Sequence, residues 1–171
     1  MKKTLSTIIF ALIIGFANTA QAQIEVKLEE FPTYQGVVTV DGKTKDVIYA
    51  KVKVWLATSL NSANSAVQLD DKENGKIITN LNFDAGFKYM GVQVPEIIKI
   101  KLSIDIQDNR FRYTYLVVDA INGSGSSDMN TILNKPKQKA VATIRENIKA
   151  EIAEQIKNIC QTINDTATDT W

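Results

Sequence analysis

The chain has 171 residues, 44% of them hydrophobic, with 20 basic and 19 acidic side chains and a formal net charge of +1. So even a balance argues against a general polyanion-binding role, and the absence of histidine removes the commonest general base, metal ligand and physiological-pH switch. A single cysteine, Cys160, excludes an intramolecular disulfide, so stability must come from packing.

The first 22 residues read as a secretory signal peptide. Lys2 and Lys3 form a positive start, Ile8 to Phe16 an apolar run, and Ala20-Gln21-Ala22 a cleavage site, with cleavage expected between Ala22 and Gln23. The apolar run is too short to span a bilayer, no later stretch is long enough, and no cysteine near the cleavage site would carry a lipid. The mature chain is therefore expected to be soluble in the periplasm or outside the cell, without a transmembrane anchor. Its 149 residues, with 18 basic and 19 acidic side chains, suit one domain with a real core.

Residues 23–34 read as an N-terminal arm, an edge strand at most, interrupted at Pro32. A short strand, 36-GVVTV-40, ends at the Asp41-Gly42 turn signal. In 44-TKDVIYAKVKVWLATSL-60, Ile48, Val52, Trp55, Leu56 and Leu60 recur at helical spacing; Thr44 or Asp46 caps the start and 61-NSANS-65 marks the stop.

The stretch 69-LDDKENGKIIT-79 admits two readings. A calcium loop starting at Asp70 would want an acid or Asn at position 72 and Glu at 81, where Lys72 and Leu81 stand. The spacing instead predicts a hairpin with the three-residue loop Glu73-Asn74-Gly75, pairing Val67 with Leu81, Leu69 with Thr79 and Asp71 with Ile77.

Further on, 97-IIKIKLSIDI-106 and 110-RFRYTYLVVD-119 flank Asp108-Asn109. A two-residue turn sets Ile106 against Phe111, Ile104 against Tyr113, Leu102 against Tyr115 and Ile100 against Val117, all apolar. The opposite face pairs Asp105 with Arg112, Ser103 with Thr114 and Lys101 with Leu116. A one-residue slip would mix the faces, so the pattern defines its own register. A polar loop over 122–137 follows. Then Val141, Ile144, Ile148, Ile152, Ile156, Ile159 and Ile163 form one stripe of a long amphipathic helix over 138–164, with a frayed tail at 166–171.

The order is β-α-β-β-β-β-α. An antiparallel sheet of about five strands with one apolar face needs covering, and two amphipathic helices are available for that face, so the expectation is a single two-layer α+β domain over 35–165. The runs 35-QGVVTV-40, 44-TKDVIYAKVKVWLATSL-60 and 67-VQLDDKENGKII-78 resemble a family of secreted bacterial domains of unknown function with a fold like that of the TATA-binding protein (TBP-like). Its shared features are a helical tyrosine and Trp-Leu, here Tyr49 and Trp55-Leu56; an Asp-Lys-Glu-x-Gly turn, here Asp71 to Gly75; and an Arg-Tyr-like strand pair, here Arg112-Tyr113. The similarity covers about residues 35–120 and implies the same strand and helix order. It implies no activity.

No cofactor, metal set or catalytic motif is legible. Asp70 and Asp71 are consecutive on a strand and point to opposite faces, and no nucleophile elbow, Ser-x-x-Lys or phosphate-binding loop occurs. The expectation is a non-enzymatic exported binding module. It would meet a protein or glycan through the sheet face carrying Lys99, Lys101, Arg110 and Arg112, or through the 122–137 loop. Asp105 and Asp119 beside these cations, and the slightly acidic mature chain, argue against nucleic acid despite the fold's name. One alternative is a carrier of a small apolar ligand between helix and sheet, walled by Trp55, Phe111, Tyr113 and Tyr115, although the plainer role for these four is a closed core; a second is an enzyme that works without histidine. Cys160 reads either as a buried small hydrophobe or as the site of an intermolecular disulfide in a homodimer.

Overall fold

The computed structural model describes residues 31–59, 67–122 and 139–165. The signal peptide with Ala22 and Gln23, the arm before Phe31, the 61–65 helix stop, nearly all of the 122–137 loop and the tail at 166–171 lie outside the described residues. The elements in chain order are β1 (Thr33–Thr39), α1 (Lys45–Ser59), β2 (Val67–Asp71), β3 (Lys76–Asp84), β4 (Phe87–Tyr89), β5 (Val92–Val94), β6 (Glu96–Gln107), β7 (Arg110–Asn122) and α2 (Lys139–Asn164). Five strands form one antiparallel sheet in the order β1-β7-β6-β3-β2, and β4-β5 is a separate two-stranded hairpin.

The β6–β7 pair follows the expected register from Ile106–Phe111 to Ile100–Val117. Beyond it a bulge beside Ile100 leaves Val118 without a partner, so Lys99 faces Asp119 and Ile98 faces Ala120. Unbroken alternation would have placed Val118 opposite Lys99; the extra residue instead brings a cation against an acid. From Ile98 to Ile106 the inner face of β6 is apolar and buried, as are Ile77 and Leu81 of β3; the buried polar side chains on this face are Glu96 at the start of β6 and Thr79 of β3. All seven residues of the α2 stripe are buried on that face, together with Ile48, Val52, Trp55 and Leu56 of α1. Each such large side chain contributes roughly 1.5–3 kcal/mol when taken out of water.

Two boundaries differ from the sequence reading. Thr33 and Tyr34 belong to β1, pairing with Leu116 and Tyr115, because the Tyr34 ring is buried to 1% exposure and draws the strand inward. The β2–β3 hairpin also runs one residue out of the expected register. Asp71 pairs with Lys76 and Asp70 with Ile77, leaving the four-residue loop Lys72 to Gly75. Asp71 closes that loop through its carboxylate, Oδ1 accepting from Asn74 N at 3.0 Å and Oδ2 from Asn74 Nδ2 at 2.8 Å. Consequently Leu69 opposes Ile78 and stays 38% exposed, and β2 is an exposed edge strand that buries no shared apolar face.

Gly75 is essential to this arrangement. It sits at φ 65°, and its carbonyl accepts from Ile106 N at 2.7 Å. A Cβ there would lie 2.5 Å from the Ile106 carbonyl oxygen. Gly75→Ala should therefore destabilise the domain by on the order of 1–3 kcal/mol, the usual cost of a side chain held in left-handed backbone. Urea unfolding of both chains measures this; an unchanged midpoint would mean the turn relaxes without penalty.

Candidate functional site

The uncovered face of the sheet carries the four cations singled out above. Arg112 is ion-paired with Asp105 at 3.0 Å, and Asp105 also receives Lys76 from β3 at 3.1 Å. Lys99 pairs with Asp119 at 3.0 Å, and Arg110 donates to Gln107 Oε1 at 2.6 and 3.0 Å. Lys101, exposed between Asn80 and Leu116, has no ion-pair partner among the described residues. The face thus pairs Arg112, Lys76 and Lys99 with two acids, while Arg110 is held by a neutral amide and Lys101 stands apart, which leaves a positive excess. Between the charges it exposes aliphatic side chains: Val37 and Val118 at 50% each and Leu116 at 37%. A shallow concavity of about 260 Å³ opens among Val37, Asp105, Gln107, Arg110 and Arg112.

Burial works against ionisation of the Asp105 carboxyl, but hydrogen bonds from Lys76 and Arg112 outweigh it and hold the group below the ordinary carboxylate range. Hydrogen bonds from Lys99 and from the Ala120 amide do the same for Asp119. Acids that stay ionised at every physiological pH are ion-pair partners, not proton donors poised near neutrality.

The four residues considered as pocket lining are deep in the core. Trp55 is 1% exposed, and Phe111, Tyr113 and Tyr115 are 0%. Tyr113 and Tyr115 meet edge to face with ring centroids 5.9 Å apart. Tyr113 lies over Gly36 of β1, where an added Cβ would come 2.3 Å from the phenolic oxygen. Among the described residues the hydroxyls of Tyr34, Tyr113 and Tyr115 and the Trp55 Nε1 are buried with no hydrogen-bond partner. Burial pushes the Tyr34 and Tyr113 phenols up to about 12, and Tyr115 higher still, so all three remain protonated.

Cys160 is 5% exposed, and burial raises its thiol to about 11. A buried, protonated thiol meets a second chain only after local opening.

One cluster escaped the sequence reading. The Tyr49 hydroxyl on α1 and the Lys53 ammonium one turn later both donate to Asp70 of β2. Hydrogen bonds from Lys53 and then Tyr49 hold Asp70 low, while burial and the bond to Asp70 push Tyr49 up. A phenol shifted upward is not an activated base; the trio fastens the edge strand to the helix. The i, i+4 spacing of Tyr49 and Lys53 was legible, but their shared acid was not, because it depends on where β2 lies beneath α1. Between the helices runs a polar groove of about 510 Å³, lined by Lys51, Val54, Thr58, Asn158, Gln161 and Asp165 among others. Among the described residues no group of three or more His, Cys, Asp or Glu could hold a metal ion, and no helix is long and apolar enough to cross a membrane.

Residues 34–116 match the family model of a domain of unknown function (DUF4468) with TBP-like fold. This region is a DUF4468 domain. A DUF4468 family protein from Bacteroides ovatus superposes with a TM-score of 0.65 at 11% identity, covering 84% of this chain and 94% of its own. A TBP-like protein from Parabacteroides distasonis does so at 0.51 and 18% identity, covering 74% and 91%. The Zhui aromatase/cyclase from a Streptomyces species reaches only 0.37 at 10% identity, covering 77% and 90%, too distant to bear on function. No curated protein matches the chain. The DUF4468 likeness establishes a five-stranded antiparallel sheet with two helices, in an α+β TBP-like domain.

Two outcomes follow. Tyr115→Phe removes a buried hydroxyl that lacks a partner and should stabilise the domain by on the order of 1 kcal/mol, read as a higher urea midpoint. A loss of stability would show that the hydroxyl is satisfied. Asp105, depressed in the folded state, contributes stability above the unfolded carboxylate value near 3.9, and this is lost as pH falls through its lower folded value. Asp105→Asn should therefore destabilise at pH 7, by about 0.5–1 kcal/mol for so exposed a pair, and the gap should close on acidification below about pH 4. A gap independent of pH would remove the ion pair as its cause.

Proposed function

We propose that the DUF4468 domain is a non-catalytic, exported binding module whose working surface is the uncovered sheet face, and that its partner is a protein or glycan. The observation that carries this reading is the asymmetry of the sheet. One face is closed under α1 and α2, while the other displays half-exposed Val37 and Val118 among paired charges. Such a mixture of aliphatic surface and partly paired ions suits a partly apolar partner, and the slightly acidic mature chain gives little attraction for a polyanion. The lack of histidine, and aspartates held ionised by neighbouring cations, support a binding role over catalysis. The amino-terminal sequence supports export, with the mature chain beginning at Gln23.

Photocrosslinking in the native host tests this. A photoreactive amino acid at Val118 should trap a discrete partner in the exported fraction, while the same group at Val47 on the outer side of α1 should not. Arg112→Ala should weaken the adduct by about fivefold, the effect expected of an interface arginine whose truncation costs roughly 1 kcal/mol. Equal adducts from both positions, or none from Val118, would place the binding surface elsewhere.

A further inference from the structure

The β4–β5 hairpin belongs neither to the sheet nor to the face described above. Its tip, Tyr89-Met90-Gly91-Val92, exposes Tyr89 to 59%, Met90 to 87% and Val92 to 66%. Met90 also occupies left-handed backbone, at φ 47°, followed by Gly91 at φ 84°. Two-residue hairpin turns of this hand ordinarily take Asn, Asp or Gly at the first position, because a long side chain there is locally disfavoured. An apolar side chain held in a disfavoured conformation and turned into solvent serves neither the core nor the turn.

The base of the hairpin is pinned. Asp84 Oδ1 accepts from Gly86 N and from Glu96 N, each at 2.8 Å. Asn147 of α2 donates to the carbonyls of Ala85 at 3.1 Å and Gly86 at 2.7 Å. Phe87 packs against the core, and at Gly86 a Cβ would strike the Val94 carbonyl oxygen at 2.2 Å. The tip is thus presented on a fixed stem. From Gly86 to Pro95 the hairpin contains no acid and one cation, the exposed Lys88 beside the apolar tip.

We propose that this hairpin is a membrane-contact finger: Tyr89, Met90 and Val92 seat among the headgroups of an anionic bilayer, with Lys88 against the phosphates. A specific protein interface needs about 800 Å² on each side and a hydrogen bond for every 100–200 Å² or so, which a two-residue turn with three apolar side chains does not supply. A bilayer interface demands no matched shape. It takes apolar side chains to a shallow depth, favours tyrosine at headgroup level and attracts a flanking lysine. One such finger gives weak, reversible association, in the range of a single acyl chain or below it.

The test uses the mature chain with vesicles of phosphatidylethanolamine and phosphatidylglycerol. The unmodified protein should sediment with them, and Tyr89→Ser with Met90→Ser should lower the bound fraction about tenfold, by loss of apolar contact. Lys88→Gln should lower it only on anionic vesicles. A polarity-sensitive dye on Met90→Cys should shift to the blue with lipid, while the same dye on Lys101→Cys should not; the unsubstituted chain controls for labelling at buried Cys160. Unchanged thermal unfolding of the serine variant shows that folding is intact. No sedimentation, sedimentation indifferent to the serine pair, or a dye that responds only to a protein partner would overturn the proposal. So would a blue shift that grows with protein concentration in the absence of lipid, which would make the tip a contact between copies of this chain.

Discussion

The turn at Asp108–Asn109 holds one end of the molecule together. Asn109, at φ 62°, gives its backbone N–H to Lys43 O and accepts Val40 N on its own carbonyl, each at 2.8 Å, while its side-chain oxygen takes Gly42 N at 2.8 Å. Asp108 Oδ1 caps the first amide of α1, Lys45 N, at 2.7 Å. Lys45 then reaches across to the carbonyl of Glu73 at 2.9 Å, and Ile106 N takes the carbonyl of Gly75. Three connections far apart in sequence are thus closed against one another by short polar side chains. The entry angle of α1 is set here, and with it the depth at which Trp55 enters the core. Asp and Asn suit this role because they bond readily to nearby backbone and tolerate left-handed conformations.

From that fixed end the architecture follows from one-sidedness. β6 and β7 alternate so strictly that their inner face has no polar side chain between Ile98 and Ile106. Such a face must be covered, and the isoleucine stripe of α2 matches it in length. The outer face then keeps the charges, and cross-strand acids neutralise some of them, Asp105 against Lys76 and Arg112 and Asp119 against Lys99. A surface of this kind gains little stability from its ion pairs, which are mostly exposed. It does gain geometric definition, since Asp105 holds Lys76 and Arg112, Asp119 holds Lys99, and Gln107 holds Arg110.

What could be read from the sequence, and what could not, divides along the same line. The β6–β7 register was legible because both strands carry unbroken apolar alternation, and any slip would bury Asp105 or Arg112. The two helices were legible from their stripes. The β2–β3 loop was misjudged because its length depends on Asp71 closing onto Asn74 and on Gly75 serving Ile106, a contact that lies 31 residues away. The bulge at Val118 was hidden for a related reason: alternation alone continues past it. The β4–β5 hairpin went unseen because its strands are three residues long and Met90 is not a turn former. Of the candidate face, Asp105–Arg112 was visible from register. Lys76–Asp105 and Lys99–Asp119 required the β3–β6 pairing and the bulge.

Both ends of the sheet use the same device to opposite effect. At one end Asp71, Asn74, Asp108 and Asn109 draw three connections inward until their backbone groups satisfy each other. At the other, Asp84 and Asn147 satisfy the backbone at the root of a hairpin and leave its tip projecting. The local penalty of a left-handed Met90 is sustained because the root is over-determined: two acceptor contacts from Asp84, two donor contacts from Asn147, and no room for a side chain at Gly86. A tip that only needed to turn the chain would have been relieved by Asn or Gly at that position. An exposed, left-handed methionine on so fixed a root is thus explained by neither the turn nor the core, and its use lies in the side chain itself.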